Sequence, residues 1–499
     1  MSTTVTYKGQ ELTTIANTTK KLETAGTWLE DDITITDESS GGSVLVVDTP
    51  DEHGGTIREI TATNVVALQG QKRVTPSSTE QTVYPDTGYD GFESVVVGAA
   101  GREDLTEPKD VDLIDYDGRL LYSYTVQEFL ALSELPANPT NTGLVAQGWN
   151  WKLADAQDFV GKYGSLVIGQ NYTTDNGRTK IYIRIPQYPT EFPKTIDIVL
   201  TSSVTNSPII YWGDGTSSTW NARANANSSI SHTYSTHGDY VIEIEVVDGA
   251  ITALGREGAS NSIIGSEWRR SEWVKKIEIG DDVTCLAKNT FRNMYELKSI
   301  SLPITLTSVN DYDEVTFPRG MLSGIVFPIN FTTNRYRAMF DQYSPVKYIS
   351  IPKGMKNFAI NTYPLRLRKL TMYSMEPYSG VNITARLYDA PSLTHYVIMG
   401  TYTNVVTDAM RNSKARKLFV PSSVTSIATT AYAYNSYLQE VHMFPTTPPS
   451  LANVNAFVNL PSTCVIYVPY SADHSILEAY QTATNWSTFT SQMQEEPQS

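Results

Sequence analysis

Histidines, cysteines and carboxylates are the residues that could do chemistry in this 499-residue chain. The six histidines are scattered, and no two of them have the spacing that a metal site needs. They are His53, His232, His237, His395, His442 and His474. Cys-x-x-Cys, Gly-x-Ser-x-Gly and a glycine-rich phosphate loop are all missing from the sequence. The sequence therefore predicts no catalytic residue, no metal site, no cofactor and no enzyme activity.

Two segments that contain aspartate could be either a metal or catalytic site or an ordinary turn. Asp115 and Asp117 could be calcium ligands, but the rest of a ligand loop is absent, which favours a turn. Asp214 lies between two glycines and could suggest a metal or catalytic site, but this setting is typical of a hairpin turn. A polysaccharide hydrolase stays an alternative without candidate residues, because it needs two carboxylates at a fixed separation that sequence does not reveal.

Composition narrows the classes of function and location. The net charge of −15 and the pI near 4.9 disfavour binding to nucleic acid, which requires a basic surface. Neither a signal segment nor an apolar run that could span a bilayer is visible, so we expect synthesis in a cytoplasm and no membrane insertion. Cys285 and Cys464 are far apart in the repeats described next, so we expect buried free thiols.

A short apolar phrase recurs between residues 274 and 443, and its last part returns at 466–469. The phrase is an apolar residue, two others, an apolar residue, one other and an apolar residue, often followed by proline. Its first residues are 21 to 26 positions apart, at Val274, Leu297, Leu322, Val346, Leu367, Leu393, Ala415 and Leu438. A period in this range predicts a solenoid, in which each unit buries its apolar face against its neighbours. Unrelated strands of a sandwich are the alternative.

Each phrase is predicted to be a β-strand. Alternate side chains of a strand face opposite sides, so the second and third apolar residues point into the stack. Proline directly after the strand ends it, because proline has no N–H for the next rung. The pattern resembles leucine-rich repeats of the BspA type, which implies a solenoid over 251–490. A helix near 475–480, with Tyr480 and Trp486, is expected to cap its last edge, and 491–499 is predicted to be a polar tail.

Four segments that precede the solenoid are predicted from alternation and turn residues. Residues 1–40 and 43–102 are predicted to be small β modules, and 191–250 a β-sandwich. Residues 103–190 are predicted to be an α+β module with a hairpin at Asp117-Gly118, a helix capped by Thr125 and a helix over 153–163. Strands at 166–168 and 180–185 complete this module. The fold class is therefore mainly β and multidomain, with a C-terminal solenoid.

Two parts of the chain resemble known families. The stretches Ile209-Ile-Tyr-Trp-Gly-Asp-Gly-Thr216 and 232–246 resemble a PKD-type immunoglobulin-like domain, which implies that Trp212 packs in a sandwich core. The stretches 47–60 and 74–83 resemble modules of virion proteins of tailed phages, such as tail fibres.

Side chains between the inward-facing residues of each phrase are expected on the concave sheet face of the solenoid. A row of polar, charged and aromatic groups on a rigid sheet suits recognition of a glycan or a protein, although an ordinary solvated face is the alternative. The candidate recognition residues are Tyr348, Ser350, Lys369, His395, Lys417, Phe419, Glu440 and His442. Tyr348 and Phe419 are the strongest candidates, because an aromatic residue exposed on a strand is otherwise unfavourable.

The resemblance to phage virion modules implies a structural virion protein, a tail fibre or receptor-binding protein. Its N-terminal modules are expected to bind other virion proteins, and its repeats a host-surface glycan or protein. A head fibre or capsid decoration protein is one alternative, and a BspA-like bacterial surface adhesin is another. The absence of a visible secretion signal and wall anchor favours a virion protein, which is released by lysis. A homotrimer is compatible with a fibre, although the sequence has no coiled-coil heptads.

Overall fold

The structure is a computed structural model, and the chain divides into two compact units, Met1–Pro108 and Lys109–Ser499, which are treated separately. In the first unit the described residues are those of nine strands. In the second unit the described residues are 109–187, 194–203, 208–220, 228–247, 249–255, 263–264, 271–287, 290–309, 317, 321–332, 345–356, 360–362, 366–375, 385–387 and 389–497.

The strands of the first unit form two sheets, in the orders β4-β1-β2-β7 and β5-β6-β3-β8-β9. They are β1 (Thr3–Tyr7), β2 (Gln10–Ile15), β3 (Thr18–Thr24), β4 (Ile33–Asp37), β5 (Ser43–Pro50), β6 (Thr56–Thr63), β7 (Ala67–Gln69), β8 (Thr82–Pro85) and β9 (Val95–Val96). Since β2 pairs with β7 and β3 with β6, each sheet takes strands from both of the modules predicted at 1–40 and 43–102. Alternation predicts strands, but it does not say which strands pair.

The second unit begins with an α+β module, here residues 109–174. Its elements are β10 (Val111–Ile114), β11 (Leu120–Tyr124), α1 (Val126–Leu130), β12 (Leu144–Trp149), α2 (Leu153–Tyr163) and β13 (Leu166–Thr174). The sheet order is β11-β10-β13-β12. The hairpin at Asp117-Gly118 joins β10 to β11, and α2 has the predicted bounds. Thr125 and Glu128 form the predicted capping box, each side chain accepting a hydrogen bond from the other's backbone N–H.

A two-layer β-sandwich follows, with the strands β14 (Thr179–Ile185), β15 (Thr195–Ser202), β16 (Pro208–Tyr211), β17 (Ser217–Thr219), β18 (Ser228–Thr233), β19 (Gly238–Val246) and β20 (Ile251–Leu254). Trp212 is fully buried in its core, as expected. The strand β14 is predicted from the sequence as part of the α+β module ending at 190, but it pairs with β19 and belongs to the sandwich. Gly213 has φ +81° and lies against the backbone of Val241, so a side chain has no room in this turn.

The solenoid is built from short strands in two walls. They are β21 (Val274–Glu278), β22 (Cys285–Leu286), β23 (Ser299–Ser301), β24 (Ser308–Val309), β25 (Gly324–Val326), β26 (Tyr348–Ser350), β27 (Ile360–Thr362), β28 (Lys369–Met375), β29 (Ala385–Leu387), β30 (His395–Gly400), β31 (Asn404–Val405), β32 (Lys417–Val420), β33 (Ser426–Ile427), β34 (Glu440–Met443), β35 (Ser450–Leu451), β36 (Val465–Val468) and β37 (Met493–Glu495). The main wall is the parallel sheet β25-β26-β28-β30-β32-β34-β36-β37, and β31-β33-β35 belong to the opposite wall.

The strands of the main wall pair so that equivalent positions of successive phrases lie side by side. The middle apolar residues of successive phrases are partners across the strands, as in Ile325 with Ile349, Leu418 with Val441, and Val441 with Ile466. All of these side chains are buried in one core. The prediction that the phrase repeats as a strand with these residues inward is therefore confirmed. Cys285 and Cys464 are both free and buried.

The sandwich continues directly into the solenoid. The strand β14 pairs antiparallel with β21, and β20 pairs parallel with β22, so both sheets of the sandwich extend into the first repeat. One hydrophobic core runs from Ile181 in the sandwich to Met493 at the far end. The sandwich therefore serves as the N-terminal cap that a repeat stack requires.

The other end is closed by helix α3 (Ser475–Thr482) and a 3₁₀ helix, Trp486–Gln492; a second 3₁₀ helix, Val454–Phe457, lies within the last repeat. Tyr480 and Trp486 are fully buried, as expected for a cap, and Trp486 Nε1 donates to Pro449 O at 2.7 Å. The predicted polar tail at 491–499 is wrong in part. Met493 lies beside Ile466 and is buried, so β37 adds a last strand to the sheet.

We predict that Asp282→Asn stabilises the unit, and more so at high pH. Asp282 Oδ1 is buried without a hydrogen-bond partner, and burial raises the pKa of this carboxyl to about 7. Because the folded-state pKa lies above the unfolded value, the cost of the buried charge is full above pH 7 and shrinks as the pH falls towards 4. We expect a gain of about 1–3 kcal/mol at pH 8 and a smaller gain at pH 5, measured by urea unfolding. The exposed neighbour Asp281 is the control, and equal gains at both pH values would contradict the assignment.

Candidate functional site

The sheet face predicted for recognition is half covered. Tyr348, Ser350, Lys369 and Phe419 are buried, with exposed fractions of 0 to 6%. The cause is the α+β module, whose β13 and α2 pack onto this face. The prediction that these four side chains are exposed is therefore wrong, because the sequence of a strand does not show what lies above it.

Polar contacts fix the centre of the covered half. Ser350 Oγ lies 2.9 Å from Val167 O and 3.1 Å from Asn150 Oδ1, and these two acceptors share its single proton. Asn150 Nδ2 donates to Phe327 O at 2.9 Å, and Trp151 Nε1 donates to Ile351 O at 2.8 Å. These bonds join the segment 150–167 to backbone groups of the sheet, so the module has one defined position on it.

A buried ion pair lies at the edge of the same interface. Lys369 Nζ is 2.7 Å from Asp112 Oδ2, both side chains are fully buried, and Lys369 also donates to Lys109 O. Burial lowers the pKa of Lys369. Next to it, His395 Nε2 lies 3.7 Å from Asp110 Oδ1; this contact lowers the pKa of Asp110, and burial lowers that of His395. Lys369 is therefore a buried docking residue and does not face solvent as predicted, whereas His395 is a docking residue that stays half exposed.

The apolar part of the interface is formed by Phe419 and two neighbours on the sheet, Val397 and Met399. They share a cluster with Phe159 and Trp151 of the module. The ring of Phe419 also meets the edge of Tyr163 at 5.4 Å. The aromatic residue Phe419 therefore does indicate a contact surface, but its partner is the α+β module of the same chain and not a ligand.

We predict that Gly169→Ala weakens this docking. A Cβ at Gly169 would overlap the side chain of Val326, which is β-branched and buried. Overpacking of this kind costs about 1–3 kcal/mol, so the urea midpoint should fall. The double variant Gly169→Ala, Val326→Ala should recover stability relative to Gly169→Ala alone. Gly161→Ala is the control, since its nearest neighbour would be Leu130 Cδ2 at 3.9 Å, and it should be neutral or stabilising; an equal loss there would argue against the overlap.

The remaining predicted residues lie on the open half of the face, on β32 and β34. Lys417 is exposed, and its Nζ is 2.7 Å from Glu440 Oε2. His442 lies between two carboxylates, with Nε2 3.0 Å from Glu440 and Nδ1 2.6 Å from Glu496. Burial alone raises the pKa of Glu440, but hydrogen bonds from Lys417 and His442 bring it below its ordinary value. Glu496 is a member of this network that the sequence did not indicate, because it lies in the predicted tail.

Aromatic rings form a ladder across these rungs. Phe419, His442 and Tyr467 are register partners on β32, β34 and β36, and their rings stack at 4.9 and 5.1 Å. This stacking continues the covered interface into the open half. The open face therefore presents a fixed set of charges beside the edges of a ring stack, with little freedom to lose on binding.

A groove of about 610 Å³ borders the covered half, where the strands end. Its lining includes Lys162, Tyr163, Tyr373, Met399, Ser422 and Phe444. The module and the sheet both contribute walls, so the groove exists only because the two are docked. The periodicity of the sequence did not predict this groove.

The two aspartate segments are turns. Arg119 Nη2 lies 2.7 Å from Asp115 Oδ2, and the Arg119 N–H donates to Asp117 Oδ1. Asp214 Oδ1 accepts from the Thr216 N–H at 3.0 Å, and its Oδ2 lies 2.7 Å from His232 Nε2. Within the described part of the chain, no group of three His, Cys, Asp or Glu residues could hold a metal ion, and no helix could span a membrane.

Comparison with known proteins agrees with the repeat pattern. The model of the BspA type leucine rich repeat region matches residues 262–376 and 377–473, in six copies. A leucine-rich repeat protein from Bacteroides ovatus, known from a crystal structure, is similar at 15% identity over 49% of this chain and 71% of that chain, with a TM-score of 0.24. No curated protein matches the chain. Residues 262–473 are a region of BspA-type leucine-rich repeats, folded as a β-solenoid.

Proposed function

We propose that this chain is a non-enzymatic recognition protein whose repeats bind a glycan or a protein on a cell surface. The observation that carries the proposal is the open half of the sheet face, where Lys417, Glu440, His442 and Glu496 form one charged network. Capping at both ends makes the solenoid a rigid support.

A binding assay with the intact chain tests this proposal. The chain is applied to bacterial cells and to arrays of glycans and surface proteins, and retained protein is quantified. The double variant Glu440→Gln, His442→Ala should lose most of the retention, because it removes the centre of the network. The control is Glu134→Gln, His237→Ala, two exposed residues outside the sheet face. Unchanged retention by the first variant would contradict the role of the open face.

We further propose that the protein is a structural component of a tailed-phage virion, located on the tail. Support comes from the resemblance of stretches 47–60 and 74–83 to phage virion modules. In this proposal the first unit binds other virion proteins, with a trimer as one possible assembly, and the sandwich acts as a PKD-type spacer. A head fibre or capsid decoration protein has the same support. Antibodies against the chain should label purified particles, on the tail for the first role and on the capsid for the second.

A BspA-like surface adhesin is a second candidate, and the repeat match favours it. It predicts antibody label on intact bacterial cells that carry no phage. Label on cells and none on purified particles would overturn the virion proposal and leave the recognition proposal in place.

A further inference from the structure

We propose that the edge of the solenoid where the main strands begin binds a linear cell-surface polymer that carries one carboxylate or phosphate per repeat unit. The site, here called the basic edge, consists of Lys275, Lys298, Lys347, Arg366, Arg368, Lys414 and Arg416. This inference rests on the proposed recognition function and names a second surface and its ligand class. It is separate from the open sheet face.

The repeat places these residues together. Lys275, Lys298, Lys347, Arg368 and Arg416 all occupy the position directly after the first apolar residue of their phrase. Backbone bonds hold adjacent rungs in register, from Lys298 N to Lys275 O at 2.9 Å and from Arg368 N to Lys347 O at 3.1 Å. Parallel strands lie about 4.8 Å apart, so equivalent side chains form a single row.

Two rungs carry a second cation. Arg366 and Lys414 directly precede buried Leu367 and Ala415, and in an extended chain they point outward with Arg368 and Arg416. Tyr437 occupies the same position one rung further on and is 56% exposed. The row therefore ends beside an exposed ring, whose apolar face suits the C–H face of a sugar.

Most of the row has no competing carboxylate. Lys298, Arg366, Lys414 and Arg416 are exposed and form no ion pair with any described residue. Lys275 has a long contact with Glu296, at 3.4 Å, and Arg368 lies over the ring of Tyr348. Charges free of partners are the ones available to a ligand.

The balance of charge favours an anionic ligand with a regular repeat. The whole chain has 38 basic and 53 acidic residues, so a row of seven cations does not follow from composition. Cations occupy this position on five of the eight rungs, and Ser323, Thr394 and Gln439 occupy it on the others. A polymer with one carboxylate or phosphate per unit matches such a row. Nucleic acid is disfavoured, because a duplex needs a broad basic surface and the rest of this protein is acidic.

The test measures the affinity of the intact chain for two probes, polygalacturonate and polyglycerol phosphate, by calorimetry at low salt. Dextran is the neutral control, and oligothymidylate is the competing polyanion. The double variant Lys414→Gln, Arg416→Gln should bind about tenfold more weakly, since two exposed ion pairs are lost. The matched control Lys162→Gln, Arg184→Gln changes exposed cations on other surfaces and should bind as the unchanged chain does.

Binding to either acidic probe that is lost in the first variant supports the proposal, and the preferred probe distinguishes carboxylate from phosphate. Tighter binding to oligothymidylate, no binding to either probe, or full affinity in the variant would overturn it. Retention on cells that depends on His442 but not on Lys414 and Arg416 would leave the proposed function standing and remove only this site.

Discussion

Lys369→Met is expected to destabilise the second unit by about 3–5 kcal/mol, because it leaves the carboxylate of Asp112 buried without its counter-charge. Both side chains are fully buried, and their charged atoms are 2.7 Å apart. Methionine nearly preserves the volume, so the loss reports the charge and not a cavity. Urea unfolding followed by the fluorescence of Trp149 and Trp151, which lie in the docked module, measures the effect.

Two further variants separate the charge from its surroundings. Adding Asp112→Asn to Lys369→Met should recover part of the lost stability, because the unpaired charge is then removed. Lys162→Met breaks an ion pair with Asp158 that is exposed at both ends, and it should cost far less than Lys369→Met because solvent screens the pair. Equal losses for Lys369→Met and Lys162→Met would show that the buried pair contributes no more than a surface pair.

Trp486→Ala is expected to open the C-terminal end of the solenoid at a cost of about 3–5 kcal/mol. The indole is fully buried, contacts Phe457 and Tyr480, and donates a hydrogen bond to Pro449 O. Without it, the cap loses its packing against the last repeat. Hydrogen exchange of the β36 amides should speed up first, before exchange in β21 at the other end.

Tyr470→Ala is the local control, since this ring is 44% exposed and lies close to the cap in sequence. It should change stability by no more than about 0.5 kcal/mol. Uniform acceleration of exchange along the whole solenoid in Trp486→Ala would instead indicate that the cap and the first repeats unfold as one unit.

The regular part of the fold could be predicted from the sequence, because it is encoded locally. Each phrase carries its own alternation, and several carry a terminating proline, so the inward positions of Ile325, Ile349 and their equivalents could be predicted. The capping box at Thr125 and the turn at Gly213 are likewise determined by residues that are neighbours in sequence.

Contacts between distant segments could not be predicted in this way. Nothing near Tyr348 or Lys369 in sequence indicates that β13 and Asp112 lie over them. The pairing of β14 with the sandwich strand β19 is also a contact between distant segments, and so is the basic edge. Its cations are 21 or more positions apart in sequence and form a row only after the repeats stack. Five of the eight predicted recognition residues lie in the docked interface for this reason, while Lys417, Glu440 and His442 stayed on the open half.

The docked module has a consequence for how the protein is made. Trp151 and its hydrogen-bond partner Ile351 are 200 residues apart. A ribosome that adds about 5–20 residues per second needs about 10–40 s to supply that length. For this interval the apolar faces of Trp151 and Phe159 have no sheet to cover them. The nascent chain should therefore recruit chaperones until the seventh phrase, which carries Phe419, has emerged, and ribosome-bound chains halted earlier should be the aggregation-prone species.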